Sequence, residues 1–558
     1  MIQVTNKYRE LLLCFLTAII LLIYSFPLFS SSYVFVPLFY LIIYSAVSVT
    51  AIGYILLNVK IRFRCSDLLL AVSALYFLLR TFTADFPFYE VSGLIICVLI
   101  YVTIRCTEHK QYRLILKTLI AIGIVESVVV ISQWNGVLQS HHSYFKVSGT
   151  FANPALSGCL LAVASVGAFY FFLKNIRNRS LAVYLPAILL IITGLIMTDS
   201  RAAWLGAIIG FCFVFYRIFL KNYRFNKLIV CGMVILLSAG TVYLYNYKKN
   251  SADGRLFVWK NTVSGIAEKP ILGHGKDSFE REYIYLQAGY FEENPGSKYI
   301  NVAGNPSSAF NEFLRILFEY GIIFFLLVIF ILINSLRTRD TAINGCLLAF
   351  CVFAFFSYPL EIFRLYIFLP ILLAMNPGKE IYTVENKAGR WLGTVFTLLI
   401  TASFPYYFIK EYKRWNDIAF NVSERRILTA DQYKHMKGEQ ELFFIYYNTV
   451  KSANRSQLVK DAVELYPSTQ FLCDLAEQYK ENGDDKAEKY YKTAIASNPS
   501  LVMPRYNLFE LYMEKQDTVS AVSIATEIIN QNVKIQNTRT IKAQARAKRF
   551  LEEIGNGN

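Results

Sequence analysis

The stretch that decides the fold is GNPSSAFNEFLRILFEYGIIFF, at residues 304–325. A polar lead-in rich in glycine, proline and serine passes into an apolar run, and three charged residues lie at its start: Glu312, Arg315 and Glu319. Charge at the rim of a membrane helix is costly and usually marks a functional position. The stretch therefore predicts a membrane helix with a functional rim, to which Phe310 and Asn311 also belong.

The rest of the chain has the same apolar character. It has 558 residues, of which 55% are hydrophobic and 16% aromatic. Soluble domains are less apolar than this, and repeated long apolar runs indicate a polytopic helical membrane protein. The sequence predicts about thirteen spans, at residues 11–30, 33–57, 67–80, 91–104, 114–132, 155–173, 181–198, 202–220, 228–245, 309–336, 343–358, 362–376 and 390–409.

Basic residues predict the orientation. The formal net charge is +16, and lysine and arginine cluster in short loops between the apolar runs, which favours a topology signal over nucleic-acid binding. If every run crosses the membrane, these loops share one side, which the positive-inside rule assigns to the cytoplasm. The other, outer side then receives the C-terminal tail and the segments 83–90, 133–154, 198–201 and about 246–308.

The chain divides into a membrane domain, residues 1–409, and a helical tail, residues 410–558, where the hydropathy drops. In the tail, one set of residues recurs at an offset of about 33 to 34: Leu475 as Leu508, Tyr479 as Tyr512, Gly483 as Gln516 and Ala487 as Ala521. This spacing is typical of tetratricopeptide-like helix pairs. The sequence thus predicts an all-α fold, whose tail is either a docking surface for a partner or acceptor, or a solvated helical cap.

The ten cysteines carry no metal or disulfide signal. None of them forms a CxxC pair, and most lie in or beside apolar runs. Such cysteines usually behave as small hydrophobic residues. The cysteines therefore support neither a metal site nor a disulfide framework, and we expect no cofactor.

Two short polar segments on the predicted outer face carry candidate binding residues. In VSGTFANPALSG (147–158), Asn153 precedes Pro154, a pair that is equally a helix start signal. In TDSRAAWLG (198–206), Arg201 lies between two apolar runs. It is either an interfacial anchor or an anion ligand at the mouth of the bundle.

The long loop predicts an amphipathic helix on the membrane surface, with Arg255, Phe257, Trp259 and Lys260, ended by the glycine-rich turn at 273–275. The outer face thus carries several cations: Arg201, Arg255, Arg315, Lys260 and Lys276. Guanidinium groups bind phosphate oxygens in pairs. A cluster of these residues would bind a lipid diphosphate whose tail lies in the bilayer.

With these motifs the sequence resembles the O-antigen ligase and O-antigen polymerase family of bacterial membrane glycosyltransferases. The matching motifs are GTFANP (149–154), SRAAWLG (200–206), the block from Gly254 to Phe279 that contains KPILGHG, and FNEFLRILFEYGII (310–323). The resemblance implies a GT-C type bundle of about a dozen membrane helices. It also implies transfer of a glycan from undecaprenyl diphosphate to lipid A–core, to a protein Ser/Thr or to another carrier-linked unit, without a metal or nucleotide sugar.

One position departs from the family pattern. Ligases of the family usually have a histidine before the motif asparagine, as the proposed general base, and this chain has Phe310 before Asn311. His274 is the histidine best placed to substitute, and Glu312 and Glu319 are alternative bases. Glu319 can equally pair with Arg315, because residues i and i+4 share a helix face.

The resemblance thus implies roles for eight residues. The catalytic candidates are Arg255, Arg315, Glu319 and His274, and the substrate-binding candidates are Arg201, Asn311, Lys260 and Asn153. The leading function is transfer of a glycan to an acceptor hydroxyl, on a glycolipid or a protein, and the alternative is polymerisation of carrier-linked units. A non-catalytic glycan-lipid binding, transport or assembly protein is a second alternative. Polar residues at span ends, rather than at mid-membrane, favour chemistry at the outer interface.

Overall fold

A computed structural model describes most of the chain, which is mostly helical and divides into two compact units. The first unit comprises Met1–Asn246, Asn311–Phe313 and Phe324–Asn421, and the second comprises Tyr247–Phe310, Leu314–Ile323 and Val422–Asn558. The described residues are 8, 11–12, 14–20, 23, 35–57, 61–81, 88–106, 111–178, 180–221, 226–376, 378–384, 387–449, 455–531, 533 and 536–556.

The first unit is built from apolar helices. These are Phe35–Leu57, Cys65–Thr81, Phe88–Arg105, Tyr112–Trp134, Pro154–Lys174, Leu181–Met197, Arg201–Phe215, Asn226–Tyr247, Thr341–Phe356, Phe363–Tyr366, Phe368–Met375 and Lys387–Ser423. Small residues allow its central helices to approach closely, as is usual in membrane bundles. A Cβ added to Gly206 would lie 2.7 Å from the carbonyl oxygen of Ala349.

The protein is a multi-pass membrane protein. Within the described residues, five helical segments are long and apolar enough to cross a membrane: Tyr112–Trp134, Pro154–Lys174, Arg201–Leu220, Lys227–Tyr247 and Glu312–Leu336. Five shorter apolar helices accompany them: Ile42–Gly53, Val91–Arg105, Leu181–Met197, Thr341–Phe356 and Phe363–Met375. Half of the predicted span at 11–30 and most of the loop at 83–90 fall outside the described residues.

Two short strands accompany the helices of the predicted all-α fold. Ile61–Arg64 and Glu380–Val384 pair in an antiparallel two-stranded sheet, with Ile61 opposite Val384. The predicted span at 362–376 corresponds to the apolar segment Phe363–Met375, in which Ile367 separates two short helices, Phe363–Tyr366 and Phe368–Met375. Strands of four or five residues give too weak a sequence pattern to stand out between long apolar runs.

In the second unit, the loop forms the helices Lys249–Glu268 and Ser278–Glu293 and a short turn, Ile300–Val302. The first helix lies where an amphipathic helix was expected, but its apolar face packs on protein. Phe257 is fully buried and contacts Tyr290, Phe291 and Tyr299, with ring centroids 4.9–5.2 Å apart. Protein, rather than the surface of a membrane, therefore covers this face.

The tail consists of paired helices. They are Ala430–Met436, Gln440–Thr449, Arg455–Leu465, Thr469–Glu481, Lys486–Ser497, Val502–Glu514, Thr518–Asn530 and Thr538–Asn556. The helix Lys387–Ser423 runs through position 410, and the second unit resumes at Val422 rather than at 410.

The turns between these helices repeat, as the sequence offset predicted. Gly483 and Gln516 both have left-handed backbones, with φ of 67° and 57°. The following amides make equivalent hydrogen bonds, from Asp484 to the Tyr479 carbonyl at 2.8 Å and from Asp517 to the Tyr512 carbonyl at 2.9 Å. The tail thus contains a repeated helix pair with the same turn at both positions.

Candidate functional site

The GTFANP loop of the first unit is fixed by two buried side chains on the helix Tyr112–Trp134. Glu126 accepts hydrogen bonds from the Thr150 amide at 3.0 Å and the Thr150 hydroxyl at 2.7 Å. Gln133 Oε1 accepts from the amides of Ser148 and Gly149, at 3.0 and 2.7 Å. Neither side chain was among the predicted site residues, although a glutamate inside an apolar run is a usable signal.

Arg364 also holds this loop. Its Nη1 donates to the Thr150 hydroxyl at 2.9 Å and its Nη2 to the Thr150 carbonyl at 2.6 Å. The guanidinium carbon lies 3.8 Å from the ring centroid of Phe151, in cation–π geometry. Sequence reasoning missed Arg364 because it lies inside the apolar run that predicted a span at 362–376.

Asn153 caps the helix Pro154–Lys174. Its Oδ1 accepts from the Ala155 amide at 2.9 Å, and its Nδ2 donates to the Tyr358 hydroxyl at 3.1 Å. A proline at the first helical position favours the same helix start. Both ends of the Asn153 side chain thus have structural partners, and its predicted role in substrate binding stays a prediction.

Arg201 is the first residue of the helix Arg201–Phe215. Its Nη1 donates to the carbonyl of Leu244, at the end of the helix Asn226–Tyr247, at 2.7 Å. Carbonyl groups in the last turn of a helix lack intrahelical partners, so a guanidinium there satisfies one of them. This contact joins two membrane helices.

The polar residues of the FNEF motif start the helix Glu312–Leu336. Asn311 is 2% exposed, and its Oδ1 accepts from the Phe313 amide at 3.0 Å. Glu312 is 2% exposed, and its Oε1 accepts from the Leu360 amide at 2.6 Å. Glu312, an alternative base in the sequence analysis, is therefore tied to the backbone near the turn Pro359–Glu361.

In the second unit, Arg255 lies over Phe310. The guanidinium carbon is 5.4 Å from the ring centroid. Phe310 has a left-handed backbone, with φ of 50°, and packs against the cluster that contains Phe279 and Phe318. Trp259 Nε1 donates to the carbonyl of Ala309, the residue before Phe310, at 3.0 Å. The helix Lys249–Glu268 thus fixes both Arg255 and Phe310, two residues that the sequence analysis singled out.

Two further cations of the loop have local partners. Lys260 is exposed, and its ammonium lies 4.4 Å from the ring centroid of Tyr290. Lys276 is buried and forms an ion pair with Asp277, and its carbonyl accepts from Arg281 Nη2 at 2.7 Å. Lys276 therefore contributes to the turn after the GHG sequence.

The GHG turn docks on the middle of the helix Glu312–Leu336. The amides of His274, Gly275 and Ile322 donate to the carbonyls of Phe318, Glu319 and Pro270, at 2.8, 2.9 and 2.9 Å. These bonds replace helical bonds at a kink, where Gly321 has φ of 73° and ψ of −176°. Two motifs that are separate in the sequence therefore form one structural element.

Close backbone contact at this kink requires glycine on both sides. A Cβ on Gly321 would lie 2.1 Å from the Ile271 carbonyl oxygen, and a Cβ on Gly273 would lie 2.5 Å from that of Glu319. Both glycines have positive φ, which L-residues rarely adopt. The predicted continuous helix at 309–336 is therefore broken at Gly321.

His274 has a structural contact. Its ring stacks on Phe318, with centroids 4.4 Å apart and an angle of 9° between the planes. Its Nε2 is 2.8 Å from the Gly265 carbonyl oxygen. A carbonyl oxygen only accepts, so Nε2 carries the proton in this contact. His274 thus supports the turn, and only Nδ1 can take up a proton while the contact is intact.

The eight predicted residues fall into two sets. Asn153, Arg201 and Asn311 belong to the first unit, and Arg255, Lys260, His274, Arg315 and Glu319 belong to the second. Within the second unit, Arg315 is half-buried and the Glu319 side chain is buried. Among the residues that the structure describes, no group of three or more His, Cys, Asp or Glu side chains could hold a metal ion.

Comparison with known proteins finds similarity to one family. Residues 185–329 match the family model described as O-antigen ligase. Through that region, this multi-pass membrane protein is similar to the O-antigen ligase family. The matched region contains every predicted site residue except Asn153, and it does not reach Arg364.

Two relatives are also similar to parts of this chain. One, from Rickettsia conorii, is named "Putative polysaccharide ligase" and is 29% identical over 266 residues, which is 44% of this chain and 61% of that protein. Another, an uncharacterized protein from Haemophilus influenzae, is 22% identical over 210 residues, or 33% of this chain and 49% of that protein. The matches thus span less than two thirds of the length of either relative.

Proposed function

We propose that the protein is a glycosyltransferase that moves a glycan from undecaprenyl diphosphate to an acceptor hydroxyl at the periplasmic face of a bacterial inner membrane. The single observation that carries this proposal is Arg255, which lies in the family-matched region and is held over Phe310, next to the motif residue Asn311. A cation fixed at this position suits a phosphate-bearing donor.

The chemistry needs charge stabilisation above all. The acceptor oxygen forms a bond to the anomeric carbon while the bond from that carbon to the diphosphate oxygen breaks, and the acceptor proton passes to a base. Arg255 binds the diphosphate and stabilises the charge that develops on it. Arg201 is the second candidate for this role, Arg315 assists, and Lys260 adds positive charge at the rim.

Glu319 is the proposed base. Phe310 cannot accept a proton, and His274, in which Nδ1 is the nitrogen that can take up a proton, is the alternative base. Glu319 is a carboxyl within the family-matched region, and it is buried beside the kink at Gly321. Shielding from bulk water favours proton transfer from the substrate over exchange with solvent.

Phe310 favours polymerisation of carrier-linked units as the second candidate function, because it replaces the histidine that the resemblance expects in ligases. Deletion of the gene, followed by analysis of the surface glycan and of the carrier-bound glycan, tests both functions. Full-length chains left on the carrier indicate a ligase, and unpolymerised units indicate a polymerase. Unchanged surface and carrier-bound glycans would overturn the proposal.

A further inference from the structure

A cleft between the loop and the tail lies entirely within the second unit. Its volume is about 420 Å³, within the range of about 300–1,000 Å³ that small-ligand sites occupy. The loop contributes Glu280, Tyr283, Ile284 and the turn at 305–307, and the tail contributes Gln440, Phe444, Ser468, Phe471 and the Tyr466–Pro467 pair.

Buried hydrogen bonds fix the walls of this cleft. Gln287 is 1% exposed, and its Nε2 donates to the carbonyls of both Gly304, at 2.8 Å, and Ser497. The Thr469 hydroxyl donates to Asn305 Oδ1 at 3.2 Å. The loop and the tail are therefore joined around a preformed cavity, which lowers the entropic cost of binding.

The lining excludes an anionic ligand. None of the residues that line the cleft is lysine or arginine, and Glu280 is the ionisable carboxylic acid among them. A diphosphate or an acidic headgroup would lie beside this carboxyl, and no cation of the lining would compensate its charge. The cleft thus differs in chemistry from the cationic positions at Arg255 and Arg201.

The same lining suits a neutral, hydroxyl-rich ligand. Three aromatic rings form one wall, with the Phe444 centroid 5.5 Å from that of Tyr466 and 5.7 Å from that of Phe471. Aromatic faces bind the C–H surface of a sugar ring, because the face is electron-rich. The Gln440 amide donates to one oxygen of Glu280, so that amide and carboxyl present paired donors and acceptors.

We propose that this cleft binds a neutral sugar unit of the acceptor glycan, through the aromatic wall and the Glu280–Gln440 pair. The inference rests on the proposed function in that a glycan-transfer protein must hold an acceptor. The turn at 305–307 lines the cleft and leads directly to Phe310 and Asn311. A bound sugar therefore contacts the segment that carries the proposed transfer site.

Saturation-transfer NMR with the full-length protein in detergent tests this proposal. The probes are neutral di- and trisaccharides of glucose, galactose and N-acetylglucosamine, with a Ser/Thr-containing peptide as a competing class. Ser307 is exposed and lines the cleft, so Ser307→Trp fills it with little risk to folding. Ser523→Trp makes the same change on the tail helix Thr518–Asn530, away from the cleft lining, and is the control.

We expect ring-proton signals from at least one saccharide in the unmodified protein and in Ser523→Trp, and a loss of at least tenfold in affinity in Ser307→Trp. Absence of saccharide signals, or signals that survive Ser307→Trp, would overturn the sugar assignment. Binding of the peptide instead, lost in Ser307→Trp, would also overturn it and would define a peptide site.

The proposed function and the proposed sugar site can fail separately, because glycan transfer and saccharide binding are measured independently. Arg255→Ala is expected to keep saccharide binding while it loses glycan transfer, because Arg255 does not line the cleft. If the protein transfers no glycan but binds saccharide through the cleft, the cleft stands and the proposed function fails. If transfer is confirmed but no saccharide binds, the cleft assignment alone fails.

Discussion

Arg255 and Phe310 form a cation–π pair, with 5.4 Å between the guanidinium carbon and the ring centroid. Phe310 stands where the family resemblance expects a histidine, and its backbone is left-handed. A phenylalanine here cannot act as a base, but its ring can position the arginine that we assign to the diphosphate. The pair therefore links the one departure from the family pattern to the proposed chemistry.

Loss of the Phe310 ring should weaken transfer through Arg255. Phe310→Leu removes a cation–π contact of about 1 kcal/mol, so we expect the transfer rate to fall by about fivefold. Phe310→Tyr keeps the ring and should keep most of the rate. Rates measured with carrier-linked glycan in proteoliposomes check this, and equal rates for Phe310→Leu and the unmodified protein would contradict it.

The kink at Gly321 should tolerate no side chain. Gly321→Ala and Gly273→Ala each place a Cβ against backbone atoms of the partner segment at positive φ, so each should lower stability by about 2 kcal/mol or more. Thermal unfolding in detergent checks this.

Gly232→Ala is the matched control for the kink, because a Cβ there meets no atom within 4 Å and the residue lies in the helix Asn226–Tyr247. We expect the control to be neutral or slightly stabilising. The double variant Gly273→Ala/Gly321→Ala should lose less than the sum of the single losses, because both residues serve one contact. Additive losses would show that the two glycines act separately.

Because Glu280 is buried, we expect the stability of the second unit to depend on pH. Burial raises the pKa of Glu280 to about 7, the Gln440 hydrogen bond opposes this, and Asp277 adds to it. Since the folded-state pKa lies above the ordinary value of 4.5, the folded state favours the protonated form. Stability is then greatest below about pH 4.5 and falls as the pH rises through 7, by up to about 3 kcal/mol.

Glu280→Gln tests that dependence because it mimics the protonated carboxyl. The other charged groups near Tyr466 at this cleft, Glu439, Asp277 and Arg281, remain in the variant. We expect Glu280→Gln to raise the midpoint of thermal unfolding at pH 8 and to leave it nearly unchanged at pH 4.5. The same increase at both pH values would contradict the assignment to Glu280.

Exchange of glycine and glutamine at the two copies of the repeated turn should have opposite effects on the stability of the tail. Gln516 adopts a left-handed backbone that glycine adopts without steric cost, so Gln516→Gly should stabilise the tail by about 0.5–1 kcal/mol. Gly483→Gln should destabilise it by a similar amount. Hydrogen exchange of the amides in Val502–Glu514 and Thr469–Glu481 checks both, and a destabilising Gln516→Gly would contradict the equivalence of the turns.

Local sequence patterns predicted the features of the fold that depend on residues close together in the sequence. Hydropathy located the membrane helices, and the offset between Gly483 and Gln516 located a turn whose geometry the structure repeats. The kink at Gly321 escaped prediction because its cause is the backbone near Ile271, some fifty residues earlier. Apolar runs often contain glycine without a break.

Long-range contacts explain the remaining differences at the candidate site. Arg364 lies inside an apolar run, yet it binds Thr150, more than two hundred residues away in the sequence. An amphipathic pattern shows that a helix has an apolar face, but it does not show whether lipid or protein covers that face. The sequence therefore predicted a membrane-surface helix at Lys249–Glu268. Here aromatic residues such as Phe291 cover it.

The central claim is that Arg255 binds the diphosphate of the glycan donor. The most direct test is single-turnover transfer from undecaprenyl-diphosphate glycan in proteoliposomes, with Arg255→Ala, Arg255→Lys and the exposed-site control Arg549→Ala. We predict a loss of about 100-fold or more for Arg255→Ala, a smaller loss for Arg255→Lys, and no change for Arg549→Ala. Transfer by Arg255→Ala at the rate of the unmodified protein would contradict the claim.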